Sequence, residues 1–219
     1  MNYPPVGLFM KRGKMFKSRG DTKNQELNES FVRLAYIAEI KEWDNRLHLE
    51  RIRQYCQIIA QAAGLTNHES SILGLASQLH DIGKVEIPDE LLTRIGNYQA
   101  DEWKLIEKHT LDGAKILDHS TSSVFQTAST IALTHHERWD GSGYPRGLKG
   151  EEIPISGRIC AIADVFDALT THRSYKTVVS DEEALKMITD SADTLFDPQL
   201  VKAFSDKFSE IQSVKSSLA

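Results

Sequence analysis

Three stretches of the sequence put ionisable side chains where apolar ones are expected. Leu79-His80-Asp81-Ile82-Gly83-Lys84 sets a His, an Asp and a Lys at the end of an apolar helix, next to a Gly. Ile131-Ala132-Leu133-Thr134-His135-His136 closes another apolar helix with a His pair. Ile159 to Leu169 is apolar on nearly every side yet carries Asp164 and Asp167. A helix of that kind is buried, and a carboxylate in it must be paired or bound to metal. Two further histidines sit on helices: His48, one turn after Asp44, and His109, after Ile106. Asp44 and His48 are at i and i+4 and can point at one centre.

His48, His80, His109, His135, His136, Asp44, Asp81 and Asp164 together supply more N and O donors than one metal ion needs. Imidazole plus carboxylate suits Fe, Mn, Zn or Ni better than Ca or Mg, and no thiol ligand is implied. Each member also has a plain reading. His109 alone reads as a hydrogen-bonded core residue. His135-His136 reads as a cationic complement to a helix dipole. The set carries the inference. His68, His119 and His172 lie in polar surroundings and take no metal role. Directly after the His pair, Arg138-Trp139-Asp140-Gly141-Ser142-Gly143-Tyr144-Pro145 makes a rigid turn with exposed backbone. Its position predicts a loop that borders the site.

These residues need a scaffold. The chain has 219 residues, 40% hydrophobic and 26% charged, which fits one domain or one domain with an appendage. Global disorder, collagen and membrane-spanning classes are excluded, since no apolar run approaches the ~20 residues of a membrane helix. Helical spacing predicts helices over Glu29–Lys41 and Asn45–Ala63, the second stopping at Gly64. Thr66 and Glu69 form a capping box for a third. Asp101–Leu117 and Ser122–Glu137 read as one helix each. Ser156 is expected to cap a helix to about Thr171, and Ser180 with Glu183 another. Asp197-Pro198 is expected to open the last. A short strand near Val178 is the one exception considered. The expected fold is all-α: a compact helical domain over residues 29–213, a flexible basic arm over 1–28 and a tail over 214–219.

The net charge is −5, with 26 Lys+Arg against 31 Asp+Glu. The first 24 residues carry +5, so the rest is more acidic than the total suggests. That balance argues against a generic nucleic-acid binder. Cys56 and Cys160 suggest no disulfide framework, and no signal peptide is visible, so a cytoplasmic protein is expected.

At this point the sequence resembles the HD-GYP family, a branch of the HD-domain metal-dependent phosphohydrolases. His80-Asp81-Ile82-Gly83-Lys84 matches the HD motif with its trailing lysine. His135 through Pro145 matches the GYP motif, continued by Gly147-Leu148, Gly150 and Ile153-Pro154. Arg158–Thr171 looks like the family's metal-aspartate helix, and Phe196-Asp197-Pro198 matches its closing motif. The similarity spans roughly residues 34–207.

The resemblance implies an all-α fold and metal-dependent hydrolysis of cyclic di-GMP to the linear dinucleotide, and on to GMP. It implies two divalent ions, Fe or Mn first, with Zn and Ni as alternatives. His48, His80, Asp81 and Asp164 would hold one ion. His109, His135 and His136 would complete the other, with Asp81 bridging. Lys84 would contact the scissile phosphate. Arg173 and Lys176 match the basic pair that grips substrate phosphate, although Arg-Pro-Tyr-Lys reads Arg173-Ser174-Tyr175-Lys176 here. Gly143 and Tyr144 fall on the substrate side of the loop.

Two departures stand out. The Glu one turn before the first His is Asp44 here, one methylene shorter, which leaves a third ion open. The Lys-Pro-Gly loop reads Arg94-Ile95-Gly96.

Two ions would activate a shared water and clamp the phosphoryl oxygens. Lys84 would neutralise charge building on phosphorus-bound oxygens. Asp81 and Lys84 are thus the expected catalytic pair. The ions also turn the acidic site positive, so the overall −5 does not count against a small anionic dinucleotide. Two other readings are kept: a weakly active cyclic-dinucleotide-binding signalling module, and a phosphodiesterase for another cyclic dinucleotide such as cyclic GMP-AMP. Regulation is expected from a partner protein, from a homodimer formed through the first helix, or from the basic arm.

Overall fold

The computed structural model describes residues 33, 35–36, 46–94, 96, 98–171 and 178–218. It is an all-α fold: among the described residues there is no strand, only an isolated bridge between Ala192 and Phe196. The helices are α1 (Arg46–Ala62), α2 (Asn67–Ser77), α3 (Asp89–Leu92), α4 (Ala100–Glu107), α5 (His109–Leu117), α6 (Ser123–Thr134), α7 (Ile155–Thr170), α8 (Asp181–Asp190), α9 (Pro198–Asp206) and α10 (Phe208–Ser217). Short 3-10 turns cover Ile82–Glu86 and Gly150–Glu152.

The punctuation read from sequence explains most of these ends. Helix α1 closes at Gly64 (φ 91°), where Leu65 N–H donates to Ala60 and Gly64 N–H to Gln61, the paired bonds of a Schellman cap. Thr66 and Glu69 form the expected capping box on α2. Ser180 accepts from Glu183 N–H at the start of α8. Asp197 accepts from Gln199 N–H with Pro198 at the first turn of α9.

Five sequence expectations are corrected. The helix read over Asp101–Leu117 is two, α4 and α5, meeting at Lys108. The helix read as Ser122–Glu137 ends at Thr134. Ser156 lies inside α7, buried, and the N-cap is Pro154. Helix α9 is not the last, because α10 follows and stays helical to Ser217 through most of the expected tail. Residues 178–180 form no strand. Of the first expected helix, only Arg33, Ala35 and Tyr36 are described; all three are helical and Ala35 is buried.

Helix α1 packs against α2, α7, α9 and α10, while α6 packs against α2, α5 and α7. The core between them holds Leu49, Ile52, Tyr55, Ile59, Ile131, Ile159, Ile162, Phe166 and Phe204, all fully buried. Phe166 is its hub, with edge-to-face contacts to Tyr55 (5.5 Å) and Phe204 (5.3 Å). This apolar layer fixes α1, α6 and α7 relative to one another. The ionisable residues sit on the faces those helices turn to the turn after α2 and the start of α5.

Candidate metal centre

Five segments converge. Helix α1 brings His48, and α7 brings Asp164. The turn after α2 brings His80 and Asp81. Helix α5 opens on His109, and α6 closes on His135 and His136. The split at Lys108 puts His109 at a helix start, where its side chain can face the HD turn. Gly83 makes that approach feasible: a Cβ there would lie 2.0 Å from the His109 carbonyl oxygen and 2.5 Å from Gly113 N.

Ligand-capable atoms form two groups: Asp81, His109, His135 and His136, and His48, His80 and Asp164, each within 4.8 Å of one another. Asp81 faces both. Its Oδ1 lies 3.3 Å from His109 Nε2 and 3.5 Å from His135 Nε2. Its Oδ2 lies 3.2 Å from His80 Nε2 and 2.7 Å from Lys84 Nζ. His80 Nε2 is in turn 3.8 Å from Asp164 Oδ1. The centre is largely buried and opens where the Asp164 and Lys84 side chains keep 20% and 15% of their exposure.

The donor set fits a metal on its own hydrogen bonding. His109 Nδ1 donates to Ile106 O (2.6 Å), and His135 Nδ1 to Ile131 O (3.0 Å). A carbonyl can only accept, so Nδ1 carries the proton and Nε2 presents a lone pair. The two Nε2 atoms are 3.4 Å apart, and the buried Asp81 Oδ1 beside them receives no hydrogen bond. Three acceptors thus converge without a proton among them, an arrangement that a bound cation relieves. An imidazolium is a poor answer, because burial pushes the His135 pKa below its usual value. Burial, with His135 and His109 alongside, pushes His136 well below. Neutral imidazoles are the form that binds metal. Burial alone would raise the Asp81 pKa, but the Lys84 ammonium beside it holds it well below the usual carboxylate range.

Two residues to which sequence reasoning assigned no role complete the centre. Asp167 Oδ2 accepts from His48 Nδ1 at 2.7 Å, and Arg51 grips the same carboxylate through Nε (2.5 Å) and Nη2 (3.0 Å). Burial opposes the Asp167 charge, yet His48 and Arg51 outweigh it and bring its pKa down to about 2. The sequence signal was there: Asp167 is a second carboxylate on a buried helix, and Arg51 follows His48 at i+3. Glu137 is a third. Buried at the end of the His pair, its carboxylate accepts from Arg146 N–H (2.8 Å) and Leu148 N–H (3.0 Å) and so folds the following loop back.

That loop borders the centre as expected. Tyr144 stacks on His136 at 4.8 Å, and its N–H donates to the His136 carbonyl. Gly143 lies against the backbone of His136–Arg138, where a Cβ would fall 2.4 Å from Arg138 N. Trp139 and Asp140 N–H bond the Leu195 and Thr194 carbonyls, and Arg158 spans from the Trp139 face to Asp197 (2.5 Å). The loop is thereby tied to the Phe196-Asp197-Pro198 motif. Arg94 pairs with Glu102 at the start of α4. Asp44, Arg173, Lys176 and Ile95 lie outside the described residues. No helix among the described residues is long and apolar enough to cross a membrane.

Residues 32–200 match the profile of the HD domain family. A 3'3'-cGAMP-specific phosphodiesterase of Vibrio cholerae is 42% identical over 190 residues, covering 87% of this chain and 36% of its own length. A cyclic di-GMP phosphodiesterase of Thermotoga maritima is also 42% identical, over 181 residues, covering 83% of this chain and 49% of its own length. The chain thus spans half or less of these relatives. Among solved structures, a cyclic GMP-AMP-specific phosphodiesterase of Vibrio cholerae superimposes with a TM-score of 0.65 at 24% identity, covering 88% of this chain and 50% of that one. At that identity it supports the shared fold.

Proposed function

The chain belongs to the HD domain family, and from that premise we propose that it is a metal-dependent cyclic-dinucleotide phosphodiesterase. One observation carries the reading: Asp81 stands between two groups of candidate ligands, with Oδ1 3.3 Å from His109 Nε2 and Oδ2 3.2 Å from His80 Nε2. A pair of divalent ions, iron or manganese in this proposal, supplies Lewis acidity toward a phosphodiester and an activated water when bound.

The chain's own residues do the rest. Asp81, kept ionised by the Lys84 ammonium, offers one oxygen to each group. Lys84, 2.7 Å from Asp81 Oδ2, stands at the open side, where its ammonium meets negative charge growing on the non-bridging phosphate oxygens. In the hydrolysis, water adds to phosphorus and the P–O3′ bond breaks. The departing oxygen takes a proton, leaving a linear dinucleotide. Tyr144, fixed by stacking on His136, and the Gly143 backbone wall one side of the approach. Arg173 would hold the second phosphate as a fork and Lys176 as a point charge.

Cyclic di-GMP is the first proposed substrate. The 3'3'-linked cyclic GMP-AMP reading stands beside it, because relatives named for each are equally similar to this chain. The test is direct. The metal-loaded protein is given both dinucleotides side by side, and linear product is measured by chromatography. Linear product from at least one is expected, at a rate lost in Asp81→Ala. No turnover of either by protein carrying two ions would reject the reading in favour of a binding module.

A further inference from the structure

The histidines of the two groups are held by different kinds of acceptor. His109 and His135 donate Nδ1–H to main-chain carbonyls, and so does His80, to Ser77 (2.9 Å). His48 instead donates to a side chain, Asp167 Oδ2, at 2.7 Å. That carboxylate is gripped at two points by Arg51, which also reaches Thr171 Oγ1 (3.3 Å) and the Leu218 carbonyl (3.1 Å). His48, Arg51 and Asp167 are all buried.

We propose that Asp167, fixed by Arg51, is the positioning residue for His48, and that this pair sets metal affinity at the His48–His80–Asp164 position separately from the His109–His135–His136 position. The inference rests on the two-ion reading above. A carbonyl accepting from Nδ1 orients the ring and fixes its tautomer. A carboxylate does both and also raises the basicity of Nε2. Asp167 lies three residues beyond Asp164 on α7, so one helix carries both a candidate ligand and the support for another. The main-chain supports of His109 and His135 come from residues Ile106, Ile131 and Ala132, none of which bonds Asp167 or Arg51. Loss of the carboxylate therefore disturbs one position and leaves the other's acceptors in place.

The test strips the full-length protein of metal and titrates it with Mn(II), following free ion by electron paramagnetic resonance. Thermal melting of each stripped protein is measured in parallel. The unaltered chain is expected to bind two ions. Asp167→Asn is expected to lose 10–100-fold in affinity at one position, with the other within about 2-fold. Arg51→Lys keeps the charge but loses the fork, and is expected to weaken the same position less. If Asp167→Asn does not fold, Arg51→Lys decides alone. Unaltered affinity at both positions, even with a lowered melting temperature, would make the pair merely structural and overturn the inference. Equal loss at both positions would overturn it too. An unaltered chain that binds no ion would instead overturn the two-ion reading itself.

Discussion

At the scale of single residues, the two carboxylates of α7 took the two fates open to a charge in a buried helix. Asp167 is paired, to Arg51 and His48; Asp164 faces His80 and stays partly open. The sequence showed that each must be satisfied but not which would be paired, since Arg51 is 116 residues away from Asp167. Pairing has a consequence for stability. The Asp167 pKa of about 2 lies below the ~3.9 of an unfolded chain. Its contribution, on the order of 2 kcal/mol, is complete above pH ~4 and is lost as pH falls toward 2. Denaturant melts of the metal-free protein should therefore show a steep stability loss between pH 4 and 2 that is shallower in Asp167→Asn. Equal slopes would remove the pairing from the account. Lys84 differs in kind. Lys84→Ala should keep both ions but lower kcat by about 10²–10³-fold, the cost of removing one preorganised charge stabiliser. A parallel loss of metal would assign Lys84 to the site's structure instead.

At the scale of elements, caps and motifs were more legible than joints. The capping box at Thr66 and the cap at Asp197 are local, written within three residues, and both formed as read. The break at Lys108 was not legible, because helical spacing runs through it unbroken. What sets it is tertiary: His109 must turn its ring toward Asp81, and the α5 backbone passes against Gly83. The Ser156 cap failed for a similar reason. The helix is capped two residues earlier, at Pro154, and Ser156 is buried within its first turn. The contrast gives a paired prediction. Thr66→Ala should cost about 1 kcal/mol of stability with metal binding unchanged. Gly83→Ala forces a methyl into the His109 carbonyl, and should cost about 1–3 kcal/mol and weaken metal binding together. Thermal melts with and without Mn(II) measure both. A Gly83→Ala protein with unaltered metal affinity would contradict the role given to that close approach.

At the scale of the whole molecule, the fold is an apolar layer that aims five segments at one point. The HD and GYP motifs lie 55 residues apart, counted from His80 to His135, and α2, α5 and α6 close that gap. The candidate ligands and a bridging Asp81 were expected from the motifs; the coordinates add that Oδ1 faces His109 and His135 while Oδ2 faces His80. Because the centre joins α1, α5, α6 and α7, metal should stabilise the entire domain. At an ion concentration 100-fold above its dissociation constant, the gain is about 2.7 kcal/mol per site. Melting temperature should rise with Mn(II), and a chelator should reverse it. A melting temperature indifferent to metal would place the centre outside the cooperative unit.

In the proposed function, Asp81 joins two metal positions into one hydrolytic centre. The most direct test is a single preparation of the unaltered chain and of Asp81→Ala, loaded anaerobically, with bound metal counted by elemental analysis and cyclic-dinucleotide hydrolysis assayed on the same samples. Two ions and linear product are expected for the unaltered chain, and loss of both in Asp81→Ala. Turnover that persists in a metal-free Asp81→Ala protein would contradict that proposal.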